Sequence, residues 1–168
     1  MIEAVHEQGA RIAVQLWHGN ELKGEPVAPS VQGPCRAITR EEIQMVVGKF
    51  ATAALHCREA GFDGVEIHGA HGYFINQFFS SLTNQRKDDY GGGVEKRRRM
   101  ALELVSAMRR AAGDKKTIFR SRNLPPRREL MRIWRGGSRR PFPFRSLRLG
   151  EFKGGLWRIG FLRRGRLT

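Results

Sequence analysis

Between Arg11 and Arg120 the chain alternates two hydrophobic periods, and that alternation restricts its fold more than any other feature. Arg11-Ile12-Ala13-Val14-Gln15-Leu16-Trp17 repeats every two residues, with Ile12, Val14 and Leu16 on one face and Ala13, Gln15 and Trp17 on the other, and predicts a buried strand. Thr39-Arg40-Glu41-Glu42 is a capping box, in which the threonine hydroxyl and the glutamate carboxylate satisfy amides left open by a first helical turn. Ile43, Val46, Val47, Phe50, Ala54 and Leu55 follow at helical spacing, and Gly61 stands where such a helix stops. Residues 62–68 predict a second strand, with Val65 and Ile67 facing one way and Glu66 and His68 the other. A second helix is expected from about Val94 to Ala112, with Leu104, Val105, Met108 and Ala111 as its stripe and Gly113 as its terminator. Residues 117–120 begin a third strand. Strand, helix, strand, helix, strand in this order predicts an α/β chain with parallel pairing through right-handed crossovers. Residues 2–8 predict a short helix closed by Gly9, and 18–34, marked by Gly24, Pro26, Pro29, Gly33 and Pro34, a loop.

After Arg120 this grammar stops. Of the formal net charge of +15, +12 falls in residues 121–168, which lack Ala, Val, Asp, His, Cys, Tyr and Gln altogether. Pro125-Pro126, Gly136-Gly137 and Pro141-Phe142-Pro143 interrupt any element drawn there, so the expectation is a domain over 1–120 and a basic, disordered tail over 121–168. The swing to Arg, Gly and Pro within one residue of a well-formed strand is what a frameshifted reading of GC-rich DNA produces. Cys35 and Cys57 are too few for a disulfide framework and lie outside metal-ligand spacing. With no 18-residue apolar run and no basic-then-apolar N-terminus, the chain is expected to be reduced, soluble and cytoplasmic, with no membrane partner.

In a parallel α/β arrangement ligand groups gather at the C-terminal ends of the strands. Gln15 and His18 end the first strand, His68 and His71 the second, and Arg120 the third, so one sheet edge receives all of them. The spacing His68-x-x-His71-x-Tyr73 suits a strand end, with Gly69 and Gly72 turning the chain so that His71 and Tyr73 return over the pocket. A third ligand for zinc is not evident, and no metal site is expected. His6, His18 and His56 read as solvated or hydrogen-bonded, Lys96-Arg97-Arg98-Arg99 as a solvated face, and Trp17, Phe74, Phe78 and Phe79 as core. Asn84-Gln85-Arg86 and Tyr90-Gly91-Gly92 read as residues that hold a loop.

Gln15-Leu16-Trp17-His18, Val27-Ala28-Pro29-Ser30, residues 36–43, residues 60–73 and residues 84–92 together resemble the Old Yellow Enzyme family, most specifically from Gly61 to Gly92. The resemblance covers about residues 1–120. It implies a partial TIM (β/α)8 barrel, about strands 3 to 5, and an enzyme of the NAD(P)H:flavin oxidoreductase and ene-reductase type, with FMN and NAD(P)H as cofactors and an activated alkene or similar small molecule as acceptor. It further implies that Gln15 and Arg120 bind the pyrimidine edge of the flavin, that His68 and His71 bind and polarise the acceptor oxygen, and that Tyr73 donates a proton. Positive charge at that edge stabilises reduced flavin, two donors on one oxygen stabilise an enolate, and a phenol can serve as general acid.

The chain departs from the family at Ser80-Ser81, at Glu95-Lys96-Arg97 and at His18-Gly19-Asn20. A complete barrel has eight strands in ordinarily ~250 residues and takes its phosphate site from the loops after strands seven and eight. Three parallel strands leave both sheet edges open, so the expectation is an isolated fragment that keeps catalytic residues without activity of its own. The alternative is a non-catalytic basic binder whose Arg-rich tail contacts nucleic acid, with Trp134, Phe142 and Trp157 as stacking surfaces.

Overall fold

The computed structural model describes residues 1–113, 115–120, 144–152 and 155–162. The chain opens with α1 (Ile2–Glu7), β1 (Arg11–Leu16), β2 (Glu21–Leu22), β3 (Glu25–Ala28), β4 (Arg36–Ala37) and α2 (Arg40–Glu59). It continues with β5 (Gly64–His68), α3 (Phe74–Gln77), α4 (Val94–Arg97), α5 (Arg99–Ala112), β6 (Lys116–Arg120), β7 (Phe144–Phe152) and β8 (Gly155–Leu162).

The expected parallel core is present: β1 pairs in parallel with β5, and β5 with β6. The two faces of these strands part company chemically. Val14, Leu16, Val65 and Ile67 turn toward the helices and share one core with Ile43, Val46, Val47 and Phe50 of α2 and with Leu104 and Met108 of α5. Each fully buried Ile or Phe contributes roughly 2 kcal/mol by leaving water. The opposite face carries Gln15, Glu66 and His68, also buried.

The ends of α2 form as the sequence predicts. Thr39 accepts from the Glu42 amide at 3.2 Å, and Glu42 accepts from the Thr39 amide at 2.9 Å. Glu42 also holds Arg36 through two bonds, at 2.7 and 2.8 Å. At the far end Gly61 takes φ +90, a value that favours glycine. Beneath β1, Asp63 accepts from the Ile12 amide at 2.9 Å and from His6 at 2.8 Å, which ties α1 to the sheet.

Four expectations are corrected. The loop 18–34 contains a β2–β3 hairpin, and β4 joins β3 in parallel to make a second, three-stranded sheet. Its two-residue turn places Lys23 and Gly24 at φ +54 and +82, so a lysine occupies a position usually signalled by Asn or Asp. The helix expected from Val94 to Ala112 breaks at Arg98, and the buried side of α5 is Met100, Ala101, Leu104, Ala107, Met108 and Ala112, with Val105 and Ala111 only partly covered. A tail disordered throughout is not what the structure has: β7 and β8 pair antiparallel, and β8 lies antiparallel beside β1. A ladder is built from backbone groups and needs no side-chain period, and an unoccupied strand edge attracts one. For the same reason the β1 edge of the parallel core is not open but is occupied by β8; the sheet order is β6-β5-β1-β8-β7. Pro125-Pro126, Trp134, Gly136-Gly137 and Phe142 lie outside the described residues.

Candidate active site

Parallel register builds the site. Gln15 stands level with Glu66, and His68 with Arg120, so the C-terminal ends of β1, β5 and β6 bring these four residues to one place. Glu66 is the hub. It is 1% exposed and accepts from the Gln15 amide nitrogen and, at 2.5 Å, from Nε of Arg120, with Nη2 of Arg120 at 3.3 Å. A buried carboxylate is stable only with such donors around it, and an arginine supplies two in a fixed fork. The two residues expected to read a flavin edge are therefore joined through a third that sequence reasoning placed only on a strand face.

Beyond β5 the chain turns over the same spot. His68 is buried, and its ring lies 5.1 Å from that of His71 and 5.5 Å from that of Tyr73, centroid to centroid. Tyr73 is 41% exposed. The turn differs in detail from the expected one: the left-handed residues are His71, φ +60, and Gly72, φ +75, whereas Gly69 is not among them. Asn76 holds this shape, accepting from the Gly72 amide at 2.9 Å and donating to the Gly69 carbonyl at 3.2 Å. Gln77 adds a bond to the Gly72 carbonyl at 2.9 Å and accepts from Asn20 at 2.9 Å. Both positioning residues follow the histidine motif directly, and an amide-bearing pair on the first turn after it is the signal that could have found them.

Trp17, expected in the core, instead meets Tyr73 edge to face at 4.8 Å and is only partly buried. Its indole nitrogen is enclosed with no hydrogen-bond partner. His18, expected to be solvated or hydrogen-bonded, accepts from the Asn20 amide at 3.2 Å and packs on Phe74, ring centroids 4.2 Å apart. Burial, with a smaller contribution from the positive charge of Lys49, holds its pKa down to about 4, so it is neutral at neutral pH.

The loop beyond is spent on itself. Asn84 donates to the carbonyls of Phe78 and Tyr90 at 2.8 and 2.7 Å. Arg86 donates to the carbonyls of Pro29 and Ile38 at 2.9 and 2.5 Å and pairs with Asp88 at 2.6 Å. The Asp88 carboxyl is correspondingly held below its ordinary range, chiefly by Arg86. These residues hold a loop, as expected. Lys96-Arg97-Arg98-Arg99, by contrast, is not a plain solvated face: Arg97 donates to the carbonyls of Phe79 and Gly92, Arg98 pairs with Glu95, and Arg99 pairs with Glu103 at 3.0 Å. A surface depression of about 400 Å³ between Pro29, Ile38 and Arg86 includes none of His68, His71 and Tyr73 in its lining. Among the described residues no group of three or more His, Cys, Asp or Glu is placed to hold a metal ion, and no helix is long and apolar enough to cross a membrane.

Parallel strands that deliver donors to one edge, beneath a turn carrying two imidazoles and a phenol, define an α/β protein with a candidate ligand site at the strand ends. The model of the NADH:flavin oxidoreductase / NADH oxidase family matches residues 1–124, and the chain belongs to that family. It is 42% identical to an NADH oxidase of Thermoanaerobacter brockii over 128 residues, covering 68% of this chain and 20% of the relative. It is 41% identical to an NADPH dehydrogenase of Clostridium acetobutylicum over 129 residues, covering 71% and 38%. Among solved structures, morphinone reductase in complex with tetrahydroNAD superposes with a TM-score of 0.67 at 36% identity, over 71% of this chain and 41% of that one. An old yellow enzyme homologue from Zymomonas mobilis gives 0.66 at 35%, over 71% and 40%. The chain thus spans less than half the length of each of these relatives.

Proposed function

We propose that this chain carries the flavin-edge and acceptor-binding part of an FMN-dependent oxidoreductase that passes hydride from NAD(P)H to an activated alkene or a similar acceptor. The observation that carries the reading is buried Glu66 joined to both Gln15 and the half-exposed Arg120, with Gln15 level with Glu66 and Arg120 level with His68 in one sheet. Strands β1, β5 and β6 then correspond to about strands 3 to 5 of a (β/α)8 barrel, in the α/β domain over residues 1–120.

The residues present fit a flavin. With its amide nitrogen committed to Glu66, Gln15 has its amide oxygen left to accept from an imide N–H, and the Arg120 guanidinium supplies donors for the neighbouring carbonyl. Bound there, FMN would supply two-electron hydride chemistry. Arg120 places positive charge beside the edge where reduced flavin gathers negative charge. His68 and His71, whose ring centroids lie 5.1 Å apart, bind one acceptor oxygen and stabilise the charge that develops on it. Tyr73, exposed beside His68, gives its phenolic proton to the carbon α to that carbonyl.

The test is titration of the purified chain with FMN, followed by flavin fluorescence and by NADPH-dependent reduction of a cyclic enone. Binding weakened about tenfold by Gln15→Ala and by Arg120→Ala, the size of one lost hydrogen bond to a charged group, supports the assignment. Absence of FMN binding in the wild-type chain would overturn it for this chain. Where turnover is present, Tyr73→Phe is expected to slow protonation roughly 100-fold without weakening flavin binding.

A further inference from the structure

The geometry points to Glu66 as a positioning residue that orients both flavin-reading side chains before any ligand arrives and tempers the charge Arg120 presents. The inference rests on the proposed flavin site and assigns a role to a residue outside the expected donor set. Glu66 is 1% exposed, and both of its oxygens are engaged: one by Gln15 and by Nε of Arg120, the other by Nη2.

Two consequences follow from elementary chemistry. An ionised carboxylate accepts hydrogen bonds and cannot donate, so it selects one of the two orientations open to a glutamine amide: nitrogen toward Glu66, oxygen away. Gln15 therefore meets a ligand as an acceptor, and the site recognises an edge that offers N–H beside C=O, as in a uracil-like ring. Second, a negative charge 2.5 Å from the guanidinium offsets part of its field at the ligand. Glu66 thereby keeps a bound flavin harder to reduce than Arg120 alone would, while holding the guanidinium in its reading position. A neutral side chain of the same shape would free the Gln15 amide to flip and remove the negative charge that Glu66 sets beside the guanidinium.

The experiment uses the full chain labelled with 15N. In the absence of flavin, Nε–H of Arg120 and the side-chain amide of Gln15 are expected to exchange with solvent far more slowly than solvated groups, and Glu66→Gln is expected to speed both about tenfold, since hydrogen bonds to a charged acceptor are about twice as strong as neutral ones. Exchange at the solvated rate in the wild type overturns the proposal, and this measurement decides it even if the variant fails to fold. With FMN present, Glu66→Gln is expected to weaken binding about tenfold and to move the flavin potential to more positive values, a shift that a purely structural role would not cause. Glu66→Asp, which keeps the charge, is expected to leave the potential near the wild-type value. An unmoved potential in Glu66→Gln overturns the electrostatic part. A wild-type chain with slow exchange but no FMN binding defeats the flavin reading and leaves the orienting role of Glu66 standing.

Discussion

Two loops follow β5, residues 69–73 and residues 84–92, and both are rich in polar side chains, yet they spend them in opposite ways. In the second, Asn84 and Arg86 are occupied with backbone carbonyls and Asp88. In the first, the backbone is held from outside by Asn76 and Gln77, so the side chains of His71 and Tyr73 are not spent on holding it. The comparison teaches that polar density does not make a site. What matters is whether another residue has already met the backbone's needs, and three amide contacts from Asn76 and Gln77 do so for the loop proposed to carry the chemistry.

Substitutions in the two loops should separate stability from chemistry. The largest effect is expected from Arg86→Ala, which strands the carbonyls of Pro29 and Ile38 and the Asp88 carboxylate; a loss of about 4 kcal/mol should appear in urea unfolding. A loss below about 1 kcal/mol would mean that the second loop is not held as described. Next comes acid sensitivity beneath the first loop. His18 is kept neutral by burial, with its folded pKa about 4 against an ordinary value of 6.5, so the unfolded chain binds the extra proton in that window. Stability is fully present above pH 6.5 and should fall as the pH drops toward 4, by up to about 3 kcal/mol. His18→Phe should flatten that slope in a pH series of thermal melts, and an unchanged slope would place the titrating group elsewhere.

Gly91→Ala should cost about 2 kcal/mol, because a Cβ there would fall 2.2 Å from the Arg86 carbonyl oxygen, a backbone atom with little room to yield. Calorimetry showing no loss would indicate that the second loop is looser than its bonds suggest. Smallest is the effect at His71, whose φ of +60 is tolerated by Asn but resisted by a β-branched residue. His71→Asn is expected to change stability by less than about 0.5 kcal/mol and His71→Val to cost about 1 kcal/mol more; equal stabilities would argue against a left-handed residue there.

Much of this was legible in the amino-acid order. The capping box at Thr39, the stops at Gly61 and Gly113 and the meeting of His68, His71 and Tyr73 depend on neighbours close in sequence, and the parallel order of the strands follows from the alternation of strand and helix. What escaped depends on register or on local backbone geometry. Glu66 reads as one more inward residue until β5 is set level with β1, since its partner Gln15 is 51 residues away. The β2–β3 hairpin hides behind Lys23, an unusual residue for a left-handed turn position. The break at Arg98 carries neither proline nor glycine, and it separates α4, whose Arg97 reaches back to Phe79 and Gly92, from α5, which packs on the core. A β7–β8 hairpin needs only an available strand edge, which no periodicity announces.

The Gln15–Glu66–Arg120 trio has one more consequence, in how the strands find their alignment. Alternating apolar and polar residues forbids a slip of one position between β1 and β5, because every side chain would change face. A slip of two positions keeps the faces and escapes that rule. It would set Ala13 or Trp17, rather than Gln15, beside Glu66, and leave a buried carboxylate without its amide donor. The trio therefore acts as a proofreading mark for sheet assembly, penalising a two-residue misalignment that hydrophobic patterning cannot detect.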